Sequence, residues 1–251
     1  MQKISIIHTP TNEKPFLVIN KPKGLPSAPL SADDTNNAVA QAIELFPEIK
    51  NVTGKKQIEY GLLHRIDTQT DGLLLIAATQ KFYDYMQIEQ SEGRFFKYYT
   101  AKCENLITNG NSITNGNLIT NVSAGSQGTI SSYFRPFGPG NKEVRPVTKD
   151  SGTAALKKIG SKKIYTTEYK IINTDGNNGE CIVECKITQG YRHQVRCHLA
   201  WVGLPIVGDS LYNKKMVPET AQEPMKFSAT KIEFEYPRGD LNSYEIALTW
   251  T

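Results

Sequence analysis

The hydrophobic positions of this chain follow two spacings, one typical of strands and one typical of helices. Short apolar or aromatic runs bounded by turn-forming residues predict strands at PFLVIN (15–20), LLLIA (73–77) and FFKYYTAKC (95–103). Residues 168–188 read as two strands joined by an Asn/Gly turn, and KIEFEYP and SYEIALTW predict two more strands near the end. The chain is therefore rich in strands throughout its length.

Two segments with apolar residues at helical spacing predict amphipathic helices. The first, DDTNNAVAQAIELFPEI (33–49), offers Asp or Thr as an N-terminal cap and Pro47 as a stop. The second, TQKFYDYMQIEQSEG (79–93), ends at Gly93. The residues expected to face inwards are Val39, Ile43 and Phe46 in the first, and Phe82, Tyr85 and Met86 in the second.

A third helix is predicted in RHQVRCHLAWVG (192–203). Its apolar residues fall on one stripe, and Arg192 and Arg196 lie four residues apart on another. Because strands and helices do not strictly alternate, we expect an α+β fold, with a mixed, largely antiparallel sheet, flanking helices and a central cleft. The length of 251 residues suits a single domain spanning 1–251.

The motif ITNGN occurs at 107–111 and again at 113–117, inside an uncharged stretch. Asn-Gly pairs are typical of tight turns between short strands. With so few copies, a small repeat-containing insertion at 105–125 is favoured over a β-helix.

Composition indicates a folded globular protein, with 39% hydrophobic and 22% charged residues. The sequence offers neither a signal-peptide h-region nor an apolar run long enough to span a bilayer, so we expect a cytoplasmic protein. Its four cysteines form no CxxC pair, which favours reduced, buried thiols over disulfides or a zinc cluster.

The net charge of +4 is too small to indicate a nucleic-acid partner by itself. However, residues 135–170 contain nine lysines and arginines against three acids. Such a segment suits a phosphate backbone and equally suits a solvated, lysine-rich surface.

Asp67 is the residue whose surroundings best suit catalysis. In HRIDTQTDG it follows a His-Arg pair and precedes turn-forming residues, which is typical of a loop that directs side chains into a cleft. A carboxylate can act as a covalent nucleophile if it stays ionised in a partly dehydrated pocket. An arginine within about 4–6 Å would keep it ionised, and Arg196 is the candidate partner.

Four segments resemble the RluA-type pseudouridine synthase family. HRIDTQTDGLLLIA (64–77) is similar to its catalytic signature, and FKYYTA (96–101) to its K-x-Y-x-A strand. HQVRCHLAWVGLPIVGDSLY (193–212) and INKPKGLPS (19–27) resemble two further family segments, in the expected order. The resemblance implies a pseudouridine synthase-like catalytic domain that isomerises uridine in structured RNA, ribosomal or transfer, with no cofactor. We also expect no metal site and a monomer.

The resemblance also implies roles for individual residues. Asp67 matches the catalytic aspartate, Tyr99 the tyrosine that packs on the target uracil, and Arg196 the arginine that pairs with the carboxylate. Arg65 matches a residue that helps to hold the target nucleotide outside its stack, at a cost of a few kcal/mol for extrusion. The remaining residues expected to contact RNA are His64, Lys97, Arg192, His193 and Gln194.

The chain departs from the family pattern at two places. Asp71 stands where the family usually has Ser, adding negative charge near the expected site, and Gly190-Tyr191-Arg192 stands where Gly-Arg-Thr is usual. About fifteen residues precede the first strongly predicted strand, so we also expect no N-terminal S4 RNA-binding domain.

Two other interpretations remain open at this stage. One is a non-catalytic RNA-binding protein on a synthase fold, which the presence of Asp67, Tyr99 and Arg196 disfavours. The other is a zinc hydrolase whose site would combine His193 and His198 with His64 and Asp67. Residues five apart on a helix diverge by about 140°, so His193 and His198 would not bind one metal from the same face.

Overall fold

The computed structural model describes residues 2–106, 122–175, 179–213, 223–248 and 250. The chain divides into two compact units, unit 1 (residues 1–98 and 228–251) and unit 2 (residues 99–227). The interpretation of 1–251 as one domain remains a prediction. Most of the predicted insertion, including the ITNGN repeats, lies outside the described residues.

The described residues form ten strands and four α-helices. The strands are β1 (Ser5–His8), β2 (Phe16–Lys21), β3 (Asp71–Ala77), β4 (Phe96–Glu104), β5 (Gln127–Phe137), β6 (Glu143–Val147), β7 (Tyr165–Asp175), β8 (Glu180–Ile187), β9 (Phe227–Glu235) and β10 (Leu241–Glu245). The helices are α1 (Ala38–Leu45), α2 (Gln80–Ser91), α3 (Thr153–Leu156) and α4 (Gln194–Trp201), and short 3₁₀ turns occupy Pro47–Asn51, Gln57–Glu59 and Pro139–Asn141.

These elements confirm the predicted α+β class. In unit 1 the strand order is β1-β2-β3-β9, with β10 beside β9, and in unit 2 it is β4-β8-β7-β5-β6. β3 and β9 pair in parallel, whereas β1–β2, β2–β3 and β9–β10 pair antiparallel, as do β5–β6, β5–β7 and β7–β8. The sheet is therefore mixed and largely antiparallel, while the central cleft stays a prediction.

Two predicted details of the helices are wrong. Helix α1 is capped by Asn37, whose side chain accepts from the Ala40 amide at 2.9 Å, instead of by Asp or Thr. Helix α4 begins only at Gln194, because His193 adopts a left-handed conformation with φ of 55°. Arg192 consequently lies outside the helix and cannot share a helical stripe with Arg196.

The core of unit 1 is packed between β2, β3, β9 and helix α2. All seven residues of β3 are buried, as expected for a continuous apolar run. Phe16 stacks on Phe82 with ring centroids 4.8 Å apart, and Phe234 meets Phe16 edge-on at 5.2 Å. This packing fixes β3, whose first residues follow directly on the loop that carries Asp67.

Gly72 is required by the close approach of β3 and β9. Its φ is 128°, and a Cβ atom there would lie 2.2 Å from the Ala229 carbonyl oxygen. The glycine after Asp71 therefore lets the two strands pair next to the candidate site.

We expect Gly72→Ala to lower the free energy of unfolding by at least about 1–2 kcal/mol, since a side chain must adopt an unfavourable φ and also clash with backbone. Urea denaturation measures the change. Gly152→Ala is the matched control, because a Cβ at Gly152 would meet no atom within 4 Å and its φ is not positive. Equal stability of the two variants would contradict the argument.

Candidate active site

Asp67 lies in unit 1, on a turn that is fixed on both sides by the segment 21–27. Ser27 Oγ donates to the Ile66 carbonyl at 2.7 Å and accepts from the Ile66 amide at 3.1 Å. On the other side, the Gly24 amide donates to the Thr68 carbonyl at 2.7 Å. The turn closes on itself, with the Thr70 amide donating to the Asp67 carbonyl at 3.0 Å. Asp67 is therefore held by its backbone neighbours while its side chain stays half-buried.

Lys21 lies beneath this turn and was not recognised as a site residue from the sequence. Its side chain is fully buried, and the ammonium donates to the carbonyls of Leu25 at 2.7 Å, Pro22 at 2.9 Å and Thr68 at 3.3 Å. Burial lowers the pKa of Lys21 to about 8, and the carboxylates of Asp71 and Asp67 oppose that shift. Lys21 thus contributes a buried positive charge beside the expected nucleophile.

The lowered pKa of Lys21 gives a pH dependence with a definite sign. The folded protein releases this proton near pH 8, whereas the unfolded chain keeps it until near the ordinary lysine pKa of 10.5. The unfolded state therefore binds more protons in this window, and stability should rise with pH from about 8 to 10.5.

We expect Lys21→Met to remove this rise. Urea midpoints of wild type and variant would be compared at pH 7.5, 9 and 10, and the advantage of wild type should grow with pH. Lys50→Met, at an exposed lysine, is the control and should follow wild type. Parallel profiles for Lys21→Met and wild type would show that Lys21 does not titrate in this window.

Asp71, the departure from the family pattern, is buried and paired. Its Oδ1 accepts from Ser228 Oγ at 2.9 Å and lies 3.5 Å from Lys23 Nζ. Ser228 Oγ in turn accepts from the Trp250 indole at 2.7 Å. The negative charge predicted for this position is therefore largely withdrawn from solvent and faces Lys23 and Lys21.

The other predicted residues of unit 1 differ in exposure. Arg65 is exposed and forms an ion pair with Glu59 at 3.2 Å. His64 accepts from the Leu75 amide at 3.2 Å, and burial, with the nearby Lys97, lowers its pKa to about 3. Lys97 is buried with its ammonium 4.6 Å from the centre of the Phe95 ring, and burial lowers its pKa to about 7. Of Arg65, His64 and Lys97, only Arg65 has an exposed side chain. The RNA-binding roles of all three stay predictions.

Tyr99 and Arg196 belong to unit 2. Tyr99 is buried on β4 and stacks on Phe227, with ring centroids 5.2 Å apart and an interplanar angle of 12°. Arg196 is buried on α4, and its Nε and Nη2 each donate to Asp209 at 2.8 Å. The predicted pairing of Arg196 with Asp67 stays a prediction.

Asp209 is a second residue whose importance the sequence did not reveal. Besides Arg196, its Oδ1 accepts from the amides of Leu211 at 3.0 Å and Tyr212 at 3.2 Å. The Tyr212 ring lies 5.3 Å from the Arg196 guanidinium carbon. A buried two-point ion pair therefore fixes the direction of the Arg196 side chain.

The remaining predicted residues surround the start of α4. His193 Nδ1 lies 3.0 Å from the Tyr212 hydroxyl. Gln194 is buried, with its side-chain Nε2 donating to the Thr166 carbonyl at 2.9 Å and its side-chain Oε1 accepting from the Tyr191 backbone amide at 2.9 Å. Arg192 is exposed and donates to the carbonyls of Asn141, in the β5–β6 connection, and Glu143, at the start of β6. The structure thus gives His193 and Gln194 internal partners, and their contacts with RNA stay predictions.

The geometry offers no support for the zinc interpretation. His198 is fully buried between Ser132 Oγ and Thr167 Oγ1, each at 2.9 Å, and burial lowers its pKa to about 3. Within the described ranges, no group of three or more His, Cys, Asp or Glu residues is arranged to hold a metal ion. The four cysteines are free and buried, as predicted.

Curated relatives with similar sequences are named as pseudouridine synthases. One, from Bacillus subtilis, is named "Uncharacterized RNA pseudouridine synthase YlyB" and is 23% identical over 94% of this chain and 67% of its own length. Another is the ribosomal large subunit pseudouridine synthase D of Pseudomonas aeruginosa, 23% identical over 91% of this chain and 59% of its own length. The chain thus spans between about half and two thirds of the length of such relatives.

Solved structures share the fold. Human RNA pseudouridylate synthase domain containing 1 superposes with a TM-score of 0.65 at 18% identity, covering 98% of this chain and 83% of its own. Human RNA pseudouridylate synthase domain containing 4 gives 0.62 at 18% identity, covering 97% and 88%. The family model described as RNA pseudouridylate synthase matches residues 15–201, which contain Lys21, Asp67, Tyr99 and Arg196. This chain therefore belongs to the RNA pseudouridylate synthase family.

Proposed function

We propose that this protein isomerises specific uridines of structured RNA to pseudouridine. The observation that carries the proposal is the family match over 15–201, combined with a half-buried Asp67 on a turn held on both sides by hydrogen bonds. Ribosomal RNA is the first substrate to test, because relatives are named as ribosomal large subunit synthases. Transfer RNA is the second.

In the proposed reaction Asp67 is the nucleophile. The Asp67 carboxylate attacks C1′ as the N1–C1′ bond of uridine breaks, the uracil turns, and its C5 then bonds to C1′ as the Asp67–C1′ bond breaks. The C5 proton leaves to solvent and N1 takes up a proton, so the product has the composition of the substrate and Asp67 is regenerated. Asp67 has to be ionised to attack.

Two further residues complete the proposed site. Tyr99 packs on the target uracil, and Arg196 supports the carboxylate. The two-point pairing of Arg196 with Asp209 would keep the guanidinium in one orientation during turnover. Arg65, exposed beside the Asp67 turn, is suited to occupy the space that the target base leaves when it flips out.

The proposed setting is a monomer in the cytoplasm. Four free, buried thiols support a reducing compartment. Separately, none of the described helices has both the length and the apolar character needed to cross a membrane. Light scattering on the purified protein tests the oligomeric state, and fractionation of cells tests the location.

The test of function is direct. Ribosomal and transfer RNA from a deletion strain would be mapped for pseudouridine, and the same RNAs would be incubated with purified protein. Loss of one pseudouridine in the strain and its restoration in vitro would support the proposal. RNA that binds tightly but stays unmodified under all conditions would favour a non-catalytic RNA-binding protein.

A further inference from the structure

The outer face of the β5–β6 hairpin carries two arginines around one aromatic ring. Arg135 and Arg145 are direct cross-strand partners in the antiparallel register. The guanidinium carbon of Arg145 lies 3.3 Å from the centre of the Phe137 ring, and that of Arg135 lies 5.0 Å away. We call Arg135, Phe137 and Arg145 the hairpin platform.

The platform faces away from the core. On the opposite face of the hairpin, Phe134 and Val144 are buried against Cys197 of α4. Arg145 is exposed, and Arg135 and Phe137 are half-buried. The hairpin therefore packs its apolar face on the core and leaves its basic, aromatic face accessible to a ligand from solvent.

The register places two positively charged side chains directly opposite each other on this face. Like charges directly opposite each other on paired strands are destabilising. Glu143, the cross-strand partner of Phe137, contributes one negative charge nearby, while Lys142 in the connection adds a positive one. An anion between the two guanidinium groups would relieve their repulsion.

The hairpin is also fixed relative to Arg196 within unit 2. The Val144 amide donates to the Tyr212 hydroxyl at 2.9 Å, and the Tyr212 ring lies 5.3 Å from the Arg196 guanidinium carbon. Arg192 donates to the Glu143 carbonyl at 3.1 Å and also to the Asn141 carbonyl. A ligand on the platform would therefore be held in a set position with respect to helix α4.

We propose that the hairpin platform binds one unstacked nucleotide of single-stranded or looped RNA, its base stacking on the arginine and phenyl groups and its phosphate lying between the guanidinium groups. The choice of RNA as the ligand rests on the proposed function. The platform adds to that function an RNA-binding site outside the catalytic residues. Arginine planes and aromatic rings are the groups on which proteins stack unpaired bases. A duplex would offer no free base face to this site.

The first test measures binding of a fluorescein-labelled, uridine-rich 12-nucleotide RNA by anisotropy. Arg135→Gln with Arg145→Gln should weaken binding about tenfold and reduce the slope of log affinity against log salt by about 0.7, the value for the one phosphate that the two arginines share. Lys50→Gln with Lys81→Gln removes the same charge from exposed positions of unit 1 and should bind like wild type.

Two single variants separate stacking from charge. Phe137→Leu should weaken binding while leaving the salt slope unchanged, because no phosphate contact is lost. Glu143→Gln should strengthen binding, a gain that a merely damaged fold would not produce. Thermal melting followed by circular dichroism checks that each variant is folded.

Several outcomes would overturn the platform. They are unchanged RNA binding by the double arginine variant, an equal loss of affinity for a duplex of the same sequence, or equal competition by a polyglutamate peptide. The assay needs no turnover, so it is independent of the isomerase proposal. If the double arginine variant binds RNA more weakly but wild type shows no isomerase activity, the platform is supported and only the proposed reaction is rejected. In an active enzyme, the double variant should raise KM about tenfold and leave kcat unchanged.

Discussion

Asp67→Asn is expected to lower the rate of pseudouridine formation by roughly 10³-fold or more, which is typical of enzymes that lose a catalytic nucleophile. An amide has the shape of the carboxylate but lacks its nucleophilic charge. The turn should survive the substitution, since its hydrogen bonds to Ser27 and Gly24 involve the backbone of Ile66 and Thr68. Tritium release from RNA labelled at uridine C5 measures the rate.

The control is Asp33→Asn, at an exposed aspartate on a different loop of unit 1. It should keep full activity. Binding of RNA by Asp67→Asn should stay within about twofold of wild type, because the change affects chemistry and removes no base-stacking group. Turnover by Asp67→Asn above one tenth of the wild-type rate would rule out Asp67 as the nucleophile.

Asp209→Ala is expected to have the largest effect on stability, lowering the free energy of unfolding by about 3–5 kcal/mol. The substitution would leave the Arg196 guanidinium buried without this partner, and it would also remove the acceptor of the Leu211 and Tyr212 amides. Urea denaturation at neutral pH measures the change, and activity should fall because Arg196 loses its fixed orientation.

A surface ion pair provides the matched control. Glu168 lies 3.5 Å from Lys186 and its side chain is 52% exposed, so Glu168→Ala should cost less than about 1 kcal/mol. The double variant Arg196→Met with Asp209→Leu should recover much of the stability without recovering activity, because apolar residues can replace a buried ion pair structurally. A loss below 1 kcal/mol for Asp209→Ala would show that the pair does not stabilise unit 2.

Several local features followed from the pattern of residues alone. The continuous apolar run at 73–77 became the fully buried β3, and the 168–188 segment became β7 and β8. Helix α2 begins after Thr79 and buries Phe82 and Met86, as its spacing predicted. These features depend on interactions between residues close in sequence and on the burial of one face of each element. The spacing of apolar residues along the chain reflects both.

The start of α4 shows where local patterns fail. Helical spacing placed Arg192 and Arg196 on one side of a helix, but the left-handed His193 begins the helix later. Arg192 then contacts the hairpin connection, while Arg196 turns to Asp209. A single backbone dihedral angle decided which arginine belongs to helix α4 and which lies outside it.

The sequence by itself determined the fold class, most strands and helices, and the position of Asp67 in a loop before a buried strand. Only the tertiary structure showed that Lys21 is buried against three carbonyls, that Asp71 is paired with Ser228 and Lys23, and that Asp209 holds Arg196. Charged residues are usually exposed, so composition predicts a surface location for each of them. Their burial depends on long-range contacts that compensate desolvation, and such contacts exist only once the chain has folded.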